Sequence, residues 1–476
     1  MLFKYFYDQA LAHASYMVGC QKTGEAIIVD PGRDIEQYLL AADREGVKIV
    51  GAADTHIHAD YVSGARELAD RVGAKLYVSD EGPAQWKYDY ANAYDHQLLK
   101  DGDTFSAGKV EFKVMHTPGH TPESISFILT DKGGGADQPM GIFTGDFVFV
   151  GSIGRPDLLE EAAGIMGTAE PGARDLFKSI KRFNELSDHL QVWPAHGAGS
   201  ACGKGLGSIP SSTVGYEKLF NPALQYSDEQ EFVDYILSEQ PEAPKYFSVM
   251  KRVNKEGPTI LGELKLPQKM GTDGIRDIVA NNMVVDTAVP KQFAAAHVDG
   301  TINIQPKYLA MWGGSLLDYD QPVYLISGSH DLPEVVRILH KIGIDKIAGY
   351  FSAEEIINGG FNTGNIPQET PKQIHEKMGT GEVVLVDIRG QSERQAESIS
   401  GSSYSFLGKI LQNTDQFEPA KTYALQCQNG NRSVIAASIL KRAGIENVIN
   451  LDGGIEAWKL AKLPLESNDR AMANAN

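Results

Sequence analysis

Residues 55–64 read THIHADYVSG, and the apolar stretch KIVGAA runs almost directly into them. Side chains two apart on a strand point the same way, so His56 and His58 can approach one point together. Three more segments carry ligand-type side chains beside a strand end or a Gly/Pro turn: His116 and His120 in HTPGHT, Asp146 in FTGDF, and His196 in WPAHGAG. A lone histidine is usually a satisfied surface or core residue, but four such segments with these turn residues argue against that reading. A chain like this has to fold so that distant turns meet.

The 476 residues are too many for one ordinary domain, and two or three are expected, each burying its own core. Hydrophobic residues at 42% and charged residues at 22% give the balance of a globular protein. A formal charge of −18 argues against nucleic acid or an anionic membrane as a partner. No apolar run approaches the ~20 residues of a membrane helix. The start, MLFKYFYDQALAHAS, does not read as an export leader. Three cysteines far apart, Cys20, Cys202 and Cys427, are no disulfide framework and suit a reducing cytoplasm.

Three blocks separate on pattern. Residues 1–257 begin with strand-like segments (AIIVD, KIVGAADT, KLYVSD, VEFKVMH, GIFTGDFVFV) broken by Gly/Pro turns and short helices. Residues 258–363 and 370–468 form an internal repeat. Asp286 and Asp387 are 101 apart, as are Gly300 and Gly401. Each copy continues with a strand, a loop and an apolar-periodic helix, VYLISGSHDLPEVVRILHKIGI against TYALQCQNGNRSVIAASILKRAGI. That alternation predicts small parallel α/β domains, with NGGFNTGNIPQETP as the linker between them.

The histidine and aspartate segments resemble the metallo-β-lactamase superfamily, whose usual signature is His-x-His-x-Asp-His followed by a later His, Asp and His. The resemblance spans nearly the whole first block and implies an αββα sandwich with the metal at one edge. In two-metal hydrolases of the superfamily, the aspartate and third histidine of the first motif serve the second metal. Here the aspartate is Asp60, but Tyr61 replaces the histidine. A phenol, with a pKa of about 10, is a poor ligand at neutral pH, so one metal is expected. One branch of the superfamily, the persulfide dioxygenases, works with a single iron. The resemblance to it puts the ligands on His56, His120 and Asp146, the donor set that suits non-haem Fe(II) oxygenases. His58, Asp60, Tyr61 and His196 then become groups that orient ligands or hold water. GSIGRPDLLE resembles the family's loop beside the active site; Arg155 there either steadies a substrate anion or pairs with Asp157 to hold the loop.

Near the far end, CQNGNRS precedes the helix SVIAASILKRAG. Backbone N–H groups converging on Cys427, together with the helix dipole, stabilise a thiolate, and Arg432 adds a fixed positive charge. The loop, Gln428, Asn429, Gly430, Asn431 and Ser433 included, resembles the rhodanese active-site loop; LDGGIEAWKLAKLP resembles the end of a rhodanese domain. Four residues separate Cys427 from Arg432, the sulfurtransferase spacing, whereas related phosphatase loops have five. Cys427 is expected to carry a persulfide and pass on its outer sulfur. The middle copy has Ser327 in place of the cysteine and no arginine in its loop, so it is expected to be inert. Cys202, six residues after His196, either relays persulfide near the metal or is an unreactive thiol; Cys20 reads as a buried small hydrophobe.

The resemblance therefore implies a multidomain α/β and α+β protein: a metallo-β-lactamase sandwich followed by two rhodanese-like domains, the first degenerate. Its expected activity is oxidation of a low-molecular-weight thiol persulfide, such as glutathione persulfide, by O2 to thiol and sulfite, with one Fe(II) per chain. Coupled sulfur transfer would make or consume thiosulfate in cytoplasmic sulfide detoxification. A homo-oligomer is expected. Two rivals stay open: a dinuclear zinc thioester hydrolase of the glyoxalase II kind fused to a sulfurtransferase, and a non-enzymatic sulfur sensor.

Overall fold

The computed structural model describes residues 1–158, 160, 166–238, 240 and 242–467. They divide into two units. The first holds Met1–Leu264 with His340–Gly343, and the second holds Lys265–Leu339 and the described residues from Ile344 onward. The expected end of the last domain, residue 468, lies outside the described residues.

The first unit is built on two six-stranded sheets. One runs in the order Leu2–Asp8, His13–Cys20, Glu25–Val29, Lys48–Ala53, Lys75–Ser79 and His96–Leu99, antiparallel over the first three strands and parallel thereafter. The other runs Ser212–Thr213, Gln191–Pro194, Gly141–Gly145, Ile125–Asp131, Val110–His116 and Thr104–Ala107. Tyr16, Val18, Ile27 and Val29 of the first sheet meet Phe105, Phe112, Phe127, Phe143 and Trp193 of the second in one apolar layer. Helices Glu36–Glu45 and Ala65–Val72 cover the outer face of the first sheet through Tyr38, Ala42 and Leu68. Helix Ala169–Asn184 covers the second sheet through Ala173, Leu176, Phe177, Ile180 and Phe183. This is the αββα sandwich. Because both faces of its strands are covered, segments such as AIIV read as continuous apolar runs rather than alternating ones.

The second unit contains the repeat. A four-stranded parallel sheet orders Ile302–Asn303, Met283–Asp286, Val323–Ser327 and Ile347–Ser352; a five-stranded parallel sheet orders Gln368–Glu369, Val448–Leu451, Tyr423–Gln426, Val384–Asp387 and Ser403–Tyr404. Asp286 pairs with Ile326 in the register in which Asp387 pairs with Gln426. The next residues are Ser327 and Cys427, so the serine does stand at the cysteine's position. Gly300 and Gly401 both take positive φ, 83° and 77°, which explains their recurrence. Helix Asn431–Arg442 packs onto the middle copy: Ser438 Oγ accepts from Asn303 N (3.1 Å), and Arg442 donates to the carbonyls of Val279, Gly300 and Asn282 (3.0, 2.7 and 2.9 Å).

Candidate metal centre and thiol loop

The carboxyl ends of strands Lys48–Ala53, Gly141–Gly145 and Gln191–Pro194, with the turn after Val110–His116, place His56, Asp146, His196 and His120 at one edge of the sandwich. All four are buried. His56 Nε2 lies 3.8 Å and His120 Nε2 3.5 Å from Asp146 Oδ2. Ligands at about 2.1 Å from a shared metal sit roughly 3 Å apart, so small adjustments seat an ion among these three. Both Asp146 oxygens are buried without a hydrogen-bond partner, a costly state unless a cation completes them. The donor set fits a metal. Burial pushes the imidazole pKa values of His56 and His120 down, which keeps their lone pairs available. His120 Nδ1 lies 2.8 Å from the Arg155 carbonyl and His56 Nδ1 3.0 Å from Thr55 Oγ1, partners that point each Nε2 inward.

A second group lies alongside. Asp60, His196 and Cys202 offer ligand atoms within 4.8 Å of one another. His196 Nε2 lies 3.2 Å from Asp60 Oδ2 and 3.4 Å from Asp146 Oδ1, while its Nδ1 is held at the Ala12 carbonyl (3.0 Å). Cys202, reached by a glycine-rich loop, is buried beside these carboxylates; burial, then Asp146 and Asp60, push its thiol pKa well up. His58 turns away, its Nε2 3.2 Å from Asp30 Oδ1. Burial alone would push its pKa down, but Asp30 prevails and lifts it to about 9. Tyr61 is wedged between the His13 and His58 rings, with its hydroxyl 3.4 Å from the Asp30 carbonyl. Burial and the acids Asp30, Asp54 and Asp60 hold the phenol protonated.

His116 stays out of the cluster, with Nε2 at the Pro122 carbonyl (3.0 Å). Arg155 is buried in a bidentate pair with Asp157 (2.8 and 2.6 Å), so it reaches the centre through its carbonyl. Sequence reasoning missed Asp30, which takes the left-handed conformation (φ 49°) at the end of AIIVD. Its carboxylate accepts from Thr55 N (2.7 Å) and Thr55 Oγ1 (3.0 Å) besides His58. An acid closing a buried strand just before Pro-Gly was the available signal. Glu123, which accepts from Ile57 N (2.8 Å), was likewise missed; burial pushes its pKa up to about 7.

In the second unit Cys427 is fully buried at the floor of its loop. Its Sγ accepts from Gly430 N (3.2 Å) and Ser433 Oγ (3.4 Å). Gly430 has φ 86° and Asn431 starts the helix, with its N–H 3.4 Å from Asn429 Oδ1. Gln428 Nε2 donates to Glu456 (3.2 Å). At Gly454 a Cβ would fall 2.3 Å from the Cys427 carbonyl, so only glycine lets LDGG close the loop. Arg432 reaches Glu393 with both terminal nitrogens (2.8 and 2.6 Å). Cys20, the third thiol, is buried in the layer between the sheets.

Residues 9–196 match the Metallo-beta-lactamase superfamily and residues 370–461 match the Rhodanese-like domain. The crystal structure of a metallo-beta-lactamase from Staphylococcus aureus subsp. aureus COL is 43% identical with TM-score 0.67, and the match covers 74% of this chain and 98% of that one. The chain belongs to the metallo-beta-lactamase superfamily. Its metallo-beta-lactamase domain is followed by a rhodanese-like domain. The persulfide dioxygenase ETHE1 of Bos taurus is 26% identical over 233 residues, 48% of this chain and 78% of the bovine one. A beta-lactamase hydrolase-like protein of Xylella fastidiosa is 29% identical over 255 residues, and there the chain spans only about half (53%) of the relative's length. Among the described residues no helix is long and apolar enough to cross a membrane.

Proposed function

We propose that this protein oxidises a low-molecular-weight thiol persulfide with O2 through one ferrous ion held by His56, His120 and Asp146, and moves sulfane sulfur through Cys427. We place the domains at 1–257, 258–363 and 370–468, with the middle copy inert. The observation that carries the reading is the unpartnered Asp146 carboxylate facing two inward-pointing imidazoles, while His58 is claimed by Asp30 and Tyr61 is kept protonated. The bovine relative named as a persulfide dioxygenase supports it. A ferrous ion bound there supplies open positions for a sulfur anion and dioxygen. The overall change, RSSH + O2 + H2O to RSH, sulfite and two protons, needs no other reductant. His196 Nε2 and Asp60 Oδ2, 3.2 Å apart, are placed where they would orient a water beside the ion, and the buried walls keep bulk solvent from the reacting sulfur. The Arg155 carbonyl fixes His120, and the pairing of its side chain with Asp157 holds the loop. Cys202 either holds a sulfane sulfur beside the centre or stays an unreactive buried thiol; Cys202→Ser turnover unchanged at saturating levels of every persulfide tried removes the first role.

Sulfite released by the first domain meets persulfide sulfur on Cys427 of the same chain, which raises the local concentration of both partners. The grouping of Asp60, His196 and Cys202 favours, as a second reading, a dinuclear zinc thioester hydrolase. Anaerobic Fe(II) loading followed by O2 uptake against glutathione persulfide separates the two. One iron per chain with stoichiometric O2 consumption is the expected result. Two zinc ions per chain and no O2 uptake would overturn it.

A further inference from the structure

Arg432 is the cation of the thiol loop, and its charge is already engaged. Both terminal nitrogens sit on Glu393, which is itself anchored because its Oε2 accepts from Gly390 N (3.1 Å). Burial would push the Glu393 pKa up, yet Arg432 holds it below the usual carboxylate range, so the pair is ionised at neutral pH. The neighbouring arginines are committed as well: Arg389 to Asp387 and the Glu397 carbonyl, Arg394 to Asp387, Ser402 and Ser403. The repeat supplies an internal comparison. Gln292 stands 101 residues before Glu393, at the same third position of the corresponding short helix, in the copy whose loop has no arginine. The carboxylate is present where the loop arginine is, and absent where it is absent.

We propose that Glu393 occupies the anion seat of Arg432 and thereby sets the donor preference of Cys427 toward thiol persulfides, whose reacting end carries a single charge, over thiosulfate, which brings two charges to the loop. The inference rests on the sulfurtransferase reading of the loop. With a persulfide, the Cys427 thiolate attacks the outer sulfur, the donor S–S bond breaks, and a thiolate leaves: Cys–S⁻ + RS–S⁻ gives Cys–S–S⁻ + RS⁻. With thiosulfate the leaving group is sulfite, SO3²⁻, which carries two charges out through the same opening. Three sulfonate oxygens need a guanidinium face, and here a carboxylate holds that face and repels the dianion. A persulfide asks less of it, because the loop amides and Ser433 already receive sulfur. Discrimination comes from an element that disfavours the rejected donor.

The test uses the full chain and Glu393→Gln, which keeps size and removes charge. Sulfur loading on Cys427 is read by peptide mass with thiosulfate and with glutathione persulfide as donors. Expected is a rise in kcat/KM for thiosulfate of about tenfold, mainly in KM, with persulfide changed less than about threefold; that is roughly the worth of one charge-assisted hydrogen bond. A merely structural glutamate lowers both donors together, and that result overturns the proposal. A second measurement needs no turnover: the rate of Cys427 alkylation by anionic iodoacetate relative to neutral iodoacetamide. This ratio rises several-fold in the variant if Glu393 shields Arg432; an unchanged ratio overturns the proposal even where sulfur transfer is normal. If neither protein loads sulfur from any donor while the ratio still rises, the sulfurtransferase reading fails and the charge argument alone survives.

Discussion

Replacing Asp30 by Asn tests how the metal edge is organised, because the change removes a charge without changing shape. Asp30 Oδ1 accepts from both Thr55 N (2.7 Å) and His58 Nε2 (3.2 Å), so an amide oxygen must occupy that position. The new NH2 then faces Thr55 Oγ1, which in the native chain donates to Oδ2 (3.0 Å). The hydroxyl has to turn, and the acceptor within its reach becomes His56 Nδ1 (3.0 Å). That favours the imidazole tautomer with its proton on Nε2, the nitrogen aimed at Asp146. Losing such an outer partner costs about 10–100-fold in metal affinity. The lost charge-assisted bond to His58 costs the metal-free chain about 2–3 kcal/mol as well. Anaerobic competition against a chromogenic chelator reads the first quantity, and urea unfolding of the metal-free protein reads the second. A variant with native circular dichroism and ferrous affinity within twofold of the parent would refute the argument.

Further outcomes follow from the same contacts. His58 holds its proton to about pH 9 folded against 6.5 unfolded, so its contribution is complete below pH 6.5 and lost as pH rises through 9. The metal-free chain should therefore lose roughly 2 kcal/mol of stability between pH 7 and 9, measured by urea titration, and a flat profile would exclude the Asp30–His58 pair. Arg442→Ala deletes three hydrogen bonds to the middle copy, half-exposed to solvent, and should cost the second unit about 2 kcal/mol in chemical denaturation. Cys427→Ser should abolish sulfur loading while O2 uptake with glutathione persulfide stays within about twofold of the parent.

Much of this was legible in the chain. The His56, His120, Asp146 and His196 segments each end a strand-like stretch, and the sandwich gathers those ends because its strands share one edge. The constant offset of 101 residues gave the repeat, and the paired registers at Asp286 and Asp387 follow it. What sequence left hidden is long-range and directional. Asp30 lies far before the histidines it organises, and its left-handed backbone has no signature beyond the following Pro-Gly. Whether Arg155 would face substrate or Asp157 depended on side-chain direction, which spacing does not encode. The clasp of Arg432 by Glu393 joins positions 39 apart, and a short helix with no apolar periodicity carries the acid.

Helix Asn431–Arg442 begins at the Cys427 loop and ends with Arg442 clasping three carbonyls of the middle copy. The copy with Ser327 at the cysteine's position thus anchors the far end of a helix whose near end cradles a thiol.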